Sequence, residues 1–184
     1  MPVLVEAISL VARRDAIDEH ITQGWPGFTS LAPNQTLCTD GELARVGFMA
    51  PDHVGEFIET LESHGLQFMS DGKCVDMSVV DQREGPTTAC EWLKFGKLPL
   101  QGGVVSACWL DGSPNAAGLS VAVPEGWAYI GSLSHEFKFL PIDKVNSELE
   151  FIRSDETVDV YRDRNSGEEL FVARTMARND NVFP

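Results

Sequence analysis

The chain is short of the signatures that announce a chemistry. Its four cysteines, Cys38, Cys74, Cys90 and Cys108, stand 36, 16 and 18 positions apart. With no C-x-x-C pair, neither a zinc knuckle nor a dithiol redox centre has a local nucleus. None of its histidines, His20, His53, His64 and His135, falls in an H-x-x-x-H or H-E-x-x-H spacing, which leaves a helical zinc site without support. G-x-G-x-x-G, Walker and G-x-S-x-G patterns are all missing, so nucleotide and α/β-hydrolase readings have no motif behind them. No apolar run approaches the length of a membrane-spanning helix, and Met1–Glu6 lacks the basic start and cleavage site of a signal peptide. The expectation is a cytoplasmic protein with reduced thiols, needing no metal and no cofactor.

Basic residues are scarce too. Lys and Arg number 14 against 28 Asp and Glu, a formal net charge of -14. That balance opposes binding to nucleic acid backbone or to anionic membrane, both densely negative. It leaves two uses for the excess: solubility, or an acidic face that docks a basic protein partner. A homo-oligomer is compatible with the same composition.

What is present is the patterning of a globular α+β chain. At 184 residues it can bury roughly 70% of the surface its unfolded form exposes. The most legible stretch is 42–80. Glu42–Met49 reads as a buried strand. Val54, Phe57, Ile58 and Leu61 then recur at helical spacing over 52–64, started by Pro51 and Asp52 and stopped by Gly65, with Leu66 folding back on Leu61. Leu66–Met69 and Cys74–Val80 read as strands joined through Asp71-Gly72, a strong hairpin signal. Asp52, Glu56, Glu59 and Glu62 give this helix an acidic outer face, either simply solvated or a docking surface. His53 and His64 are expected to be exposed or to complement the helix dipole.

Upstream, Val3–Ala12 is nearly continuously apolar and reads as one central strand covered on both faces. A short helix follows from Asp15 to Ile21, ended by a turn at Gly24-Trp25-Pro26-Gly27, and Gln35–Cys38 reads as a strand. Downstream, Trp92–Phe95, Val104–Leu110 and Leu119–Val123 are candidate strands, and 124–140 is ambiguous. Leu149–Ile152, Val158–Tyr161 and Leu170–Ala173 form a meander turned at Asn165-Ser166-Gly167, with a fraying tail from 177. The fold class expected is α+β: a mainly antiparallel sheet with two or three helices on one face, ferredoxin-like or βαβββ-type in its N-terminal half, followed by a strand-rich C-terminal half. A single domain over 1–184 is expected, with 1–80 and 91–176 as subdomains if the chain divides.

The segment 43–80, with its strand, Pro-Asp helix start, His-Gly helix end and hairpin, resembles one module of the vicinal-oxygen-chelate group of glyoxalases and dioxygenases. The resemblance implies a fold. It does not carry over that group's metal ligands, since 43–49 and 74–80 contain neither His nor Glu.

The polar segment leaving this module is the candidate site. Asp81, Gln82, Arg83, Glu91 and Trp92 can offer carboxylates, an amide, a guanidinium and an apolar wall to a small polar ligand. A solvated connection uses the same residue types. Cys90 would act as a nucleophile only with a histidine brought near it by the fold. Trp25, Phe28 and Trp127 sit in Gly/Pro-rich loops, where they line a pocket or plug the core. The function expected is a non-catalytic module binding a small molecule or a protein. The competing class is a small-molecule enzyme with acid/base groups on the 81–92 loop.

Overall fold

A computed structural model of the chain describes residues 1–113, 120–136, 149–154, 158–164 and 169–173. The chain forms helices and antiparallel sheets, an α+β architecture, and divides into two compact units, Met1–His135 and Glu136–Pro184. The segment 81–90 lies inside the first unit, where part of it is a strand.

The main sheet of the first unit is built from β2 (Ile8–Arg13), β3 (Cys38–Thr39), β4 (Leu43–Phe48), β7 (Met77–Asp81) and β8 (Gly85–Pro86). They lie in the order β3-β4-β2-β7-β8, each neighbour antiparallel. Alternation along each strand divides the side chains between two faces. Leu10, Ala12, Ala44, Val46 and Met77 face one way, packed with Ile17, Phe28, Phe57 and Leu61 of three helices. These helices are α1 (Arg14–His20), α2 (Trp25–Leu31) and α3 (Pro51–Ser63). Val11, Leu43 and Val80 face the other way, against Val3, Val5, Leu93 and Cys108. That second layer is the sheet β1 (Val3–Val5), β10 (Gly103–Leu110) and β9 (Leu93–Leu100), in that order and antiparallel.

The apolar run 3–12 is therefore not one strand but two, in two stacked sheets. Ala7 makes the break with a left-handed φ of 49°. Full coverage of both halves explains why the run looked continuous: β1 is buried by its neighbouring layers, β2 by helices and sheet together. Hydrophobicity records burial, not the sheet that supplies it.

The stretch 42–80 follows its local signals closely. Val54, Phe57 and Leu61 of α3 are buried while Asp52, Glu56, Glu59 and Glu62 are exposed. Its end is a Schellman motif: Gly65 N–H donates to Glu62 O at 3.0 Å and Leu66 N–H to Leu61 O at 3.2 Å, with Gly65 at φ 104°. Asp71 and Gly72, at φ 50° and 76°, turn the hairpin of β5 (Met69–Ser70) and β6 (Lys73–Cys74). The expected strand 74–80 is interrupted at Val75–Asp76, so that β6 pairs with β5 while β7 pairs with β2. The Asp76 carboxylate accepts Gln67 N–H at 2.8 Å at this break.

Two further expectations change. Gly24-Trp25-Pro26-Gly27 does not end a helix in a turn but starts α2, with Pro26 in the first helical turn, where its missing N–H costs nothing. The strand expected over 35–38 is only Cys38–Thr39, because side chains of Asn34 and Thr36 take the sheet-edge bonds instead. The strands over 92–110 form a hairpin through Gln101-Gly102, and Ala122 of the expected 119–123 strand makes only an isolated bridge to Val3. A short helix α4 (Leu133–Glu136) lies in the ambiguous stretch.

The second unit contains β11 (Leu149–Ser154), β12 (Val158–Asp163) and β13 (Glu169–Ala173), an antiparallel meander in that order. The turn expected at 165–167 and the tail from 177 lie outside the described residues. No helix among the described residues is long and apolar enough to cross a membrane.

Candidate functional site

The polar residues leaving β7 are held by the fold itself. Asp81 Oδ1 accepts the N–H groups of Arg83 and Glu84 at 2.7 and 3.1 Å, an Asx turn that starts the β7–β8 hairpin. Gln82 is buried, and its Oε1 accepts Ala7 N–H at 2.8 Å while its own N–H donates to Ala7 O at 2.9 Å. It clasps the bend between β1 and β2. Glu91 is exposed and pairs with Lys73 Nζ at 2.5 Å, which holds its carboxyl below the usual range. Trp92 packs into the apolar layer between the sheets. The fold thus brings Asp81, Gln82 and Arg83 together at one strand end and sends Glu91 and Trp92 elsewhere, with none of the five lining the cavity described next.

Cys90 is half-buried, and burial, reinforced by neighbouring Cys74, pushes its thiol up to about 11. An activated nucleophile needs the opposite shift. His64 Nδ1 lies 2.8 Å from Thr60 O at the end of α3, the terminal role expected of it. Trp25 stacks with Phe28 and lies under the Arg14 guanidinium, 4.5 Å from its ring centre, so both loop aromatics close the core.

A cavity of about 580 Å³ opens instead where β4, the Ala7 bend and the segment 124–133 meet. Its wall includes Glu6, Asn34, Arg45, Phe48, His53 and Trp127. Arg45 lies on β4, pointing away from the helices, and is only 2% exposed. Its Nε donates to Ser9 Oγ at 2.8 Å, Nη2 to Glu6 O at 3.0 Å and Nη1 to Thr36 O at 3.3 Å. All three acceptors are neutral. Burial pulls the guanidinium's pKa down from 12.5, opposed by Cys38, Glu6 and Cys108.

Gly47 makes room for this side chain. A Cβ there would lie 2.5 Å from Nη2 and 2.8 Å from Cζ, because residues two apart on a strand share a face. Gly47 is also where the rim is tied on: Asn34 Nδ2 donates to its O at 2.9 Å, and its N–H donates to Thr36 Oγ1 at 2.7 Å. Across the cavity, Glu6 Oε2 accepts Trp127 Nε1–H at 3.0 Å and Oε1 accepts Ser134 N–H at 2.8 Å. One buried carboxylate thereby fixes the segment 124–134 against the bend.

None of Glu6, Asn34 and Arg45 stood out as a candidate in the sequence. The available signal was an arginine inside an otherwise apolar strand run with glycine at i+2. That pattern marks a charge the fold must solvate and a space it must leave empty. Among the described residues no group of His, Cys, Asp and Glu is arranged to hold a metal ion. Compared with protein-family models, curated proteins and solved structures, the chain gives no match.

Proposed function

We propose that the first unit is a small-molecule-binding module whose ligand sits in the Arg45 cavity, binding it without chemical change. The observation that carries this reading is a fully buried guanidinium in a cavity wall, satisfied only by neutral oxygens. Burying a cation is costly unless it is paired, and a recess of this size with apolar walls and few convergent polar groups is the usual form of a ligand site. Binding rather than catalysis is supported by the state of the polar groups. Arg45 keeps its proton at any ordinary pH, and both Glu6 oxygens already accept protein N–H groups.

Part of the 81–92 segment enters this reading as a support. Gln82 holds the Ala7 bend, and Ala7 lines the cavity. The antiparallel order β3-β4-β2-β7, with α1 and α2 between β2 and β3 and α3 between β4 and β7, supports the ferredoxin-like form of the fold.

The test is a fragment screen by ligand-observed NMR, using small aromatic acids, amides and amines on the full chain. At least one class is expected to bind, and to lose binding in Trp127→Ala while the far-UV circular dichroism is unchanged. If no class binds, or if binding survives Trp127→Ala intact, this reading is abandoned.

A further inference from the structure

The charges around the cavity restrict what it can hold. A guanidinium carries five N–H donors in a planar fork, and Arg45 commits three of them, to Ser9, Glu6 O and Thr36 O. Among the described residues it makes no ion pair within 4.0 Å. Two carboxylates share this wall: Glu6, whose two oxygens are turned to Trp127 and Ser134, and Glu125, which is exposed to solvent. Arg45 thus lines the cavity, and no described residue offers its guanidinium an anion. Carboxylate is the ligand group whose two oxygens match such a fork.

Glu6 sets the upper limit of ligand charge. A single negative charge is answered by Arg45, whereas a phosphate dianion would bring a second one into a low-dielectric space that already holds the Glu6 carboxylate. Phe48, Met49, Pro124, Trp127 and Leu133 supply an apolar stretch of the wall, which His53 also lines. It suits a hydrocarbon or aromatic body of modest size.

We infer that the cavity takes an organic monocarboxylate, its carboxylate on the Arg45 guanidinium and its apolar body against Phe48 and Trp127. The inference rests on the binding reading above and adds the ligand's chemical class. A neutral analogue of the same shape binds more weakly because it leaves the buried cation unanswered, and a cationic one is opposed by it.

The experiment compares 3-phenylpropanoate, 3-phenylpropanamide and 3-phenylpropylamine on the wild-type chain by NMR titration, following the Arg45 Nε–H resonance. The acid is expected to bind at least about tenfold more tightly than the amide, as befits a charge-assisted hydrogen bond. The amine is expected not to bind, and only the acid should move the Arg45 resonance. Arg45→Gln should erase the preference for the acid. Should that variant not fold, the wild-type resonance carries the test unaided. If the amide or amine binds as tightly as the acid, and is lost in Trp127→Ala, the monocarboxylate is ruled out and the cavity reading survives. If none of the three binds, both fall.

Discussion

Gln82 shows how a polar residue that looks functional can be consumed by the backbone. A side-chain amide is one of the few groups that can satisfy a peptide N–H at a bend where no strand continues, and Ala7 is such a bend. Replacing Gln82 with Ala leaves the Ala7 N–H without its acceptor, at a cost of about 1–3 kcal/mol. Urea denaturation is expected to show this loss of stability, and an unchanged midpoint would remove the clasp from the account. Cys38 offers a second test at this scale. Burial, resisted by the charge of Arg45, raises its thiol from 9.0 to about 11. The unfolded thiol then ionises before the folded one, so its contribution is intact below pH 9.0 and is lost as pH rises toward about 11. Cys38→Val should flatten the alkaline fall of the urea midpoint, on the order of 2 kcal/mol between those limits. Identical pH profiles for the two proteins would show that this thiol is not the cause.

Elements whose ends are coded by backbone chemistry were legible, and elements defined by a partner elsewhere in the chain were not. The Schellman stop at Gly65 and the Asp71-Gly72 turn depend on residues within one turn of each other. Gly72 sits at φ 76° with open space where a Cβ would stand. Gly72→Ala should therefore cost about 1 kcal/mol through backbone conformation alone, seen as a lower thermal midpoint. Gly72→Asn should recover part of it, since Asn tolerates this region better. The division of 3–12 between two sheets, and of 74–80 between two pairings, has no such local code. It follows from which strand lies alongside, β10 for Val3–Val5 and β4 with β7 for Ile8–Arg13.

For the whole molecule the dominant electrostatic fact is a net charge of -14. Exposed pairs such as Arg13–Asp15 and Lys73–Glu91 are screened by solvent and add little to stability. Carboxylates outnumber cations 28 to 14, so mutual repulsion outweighs what screening would take from these pairs. Raising ionic strength from about 0.01 M to about 0.1 M, which shortens the screening length from about 30 to about 10 Å, should raise the thermal midpoint. A fall instead would mean that attractive pairs dominate. Within this excess of negative charge the buried Arg45 guanidinium is screened by salt far less than the exposed pairs are.

By itself the sequence determined the elements that rest on neighbouring residues: the amphipathic α3 and its cap, the hairpin turn, the net negative charge and the absence of known catalytic motifs. Those depend on propensity, spacing and composition, which a linear string contains in full. Only the tertiary structure decided that the opening apolar run feeds two sheets, that Gln82 is a clasp, and that Glu6, Asn34, Arg45 and Trp127 surround one cavity. The physical reason is burial. Whether a charged side chain is a solvated surface group or a buried cation held by neutral oxygens depends on the layers packed around it, and those come from residues 39 positions away at Glu6 and further still at Trp127.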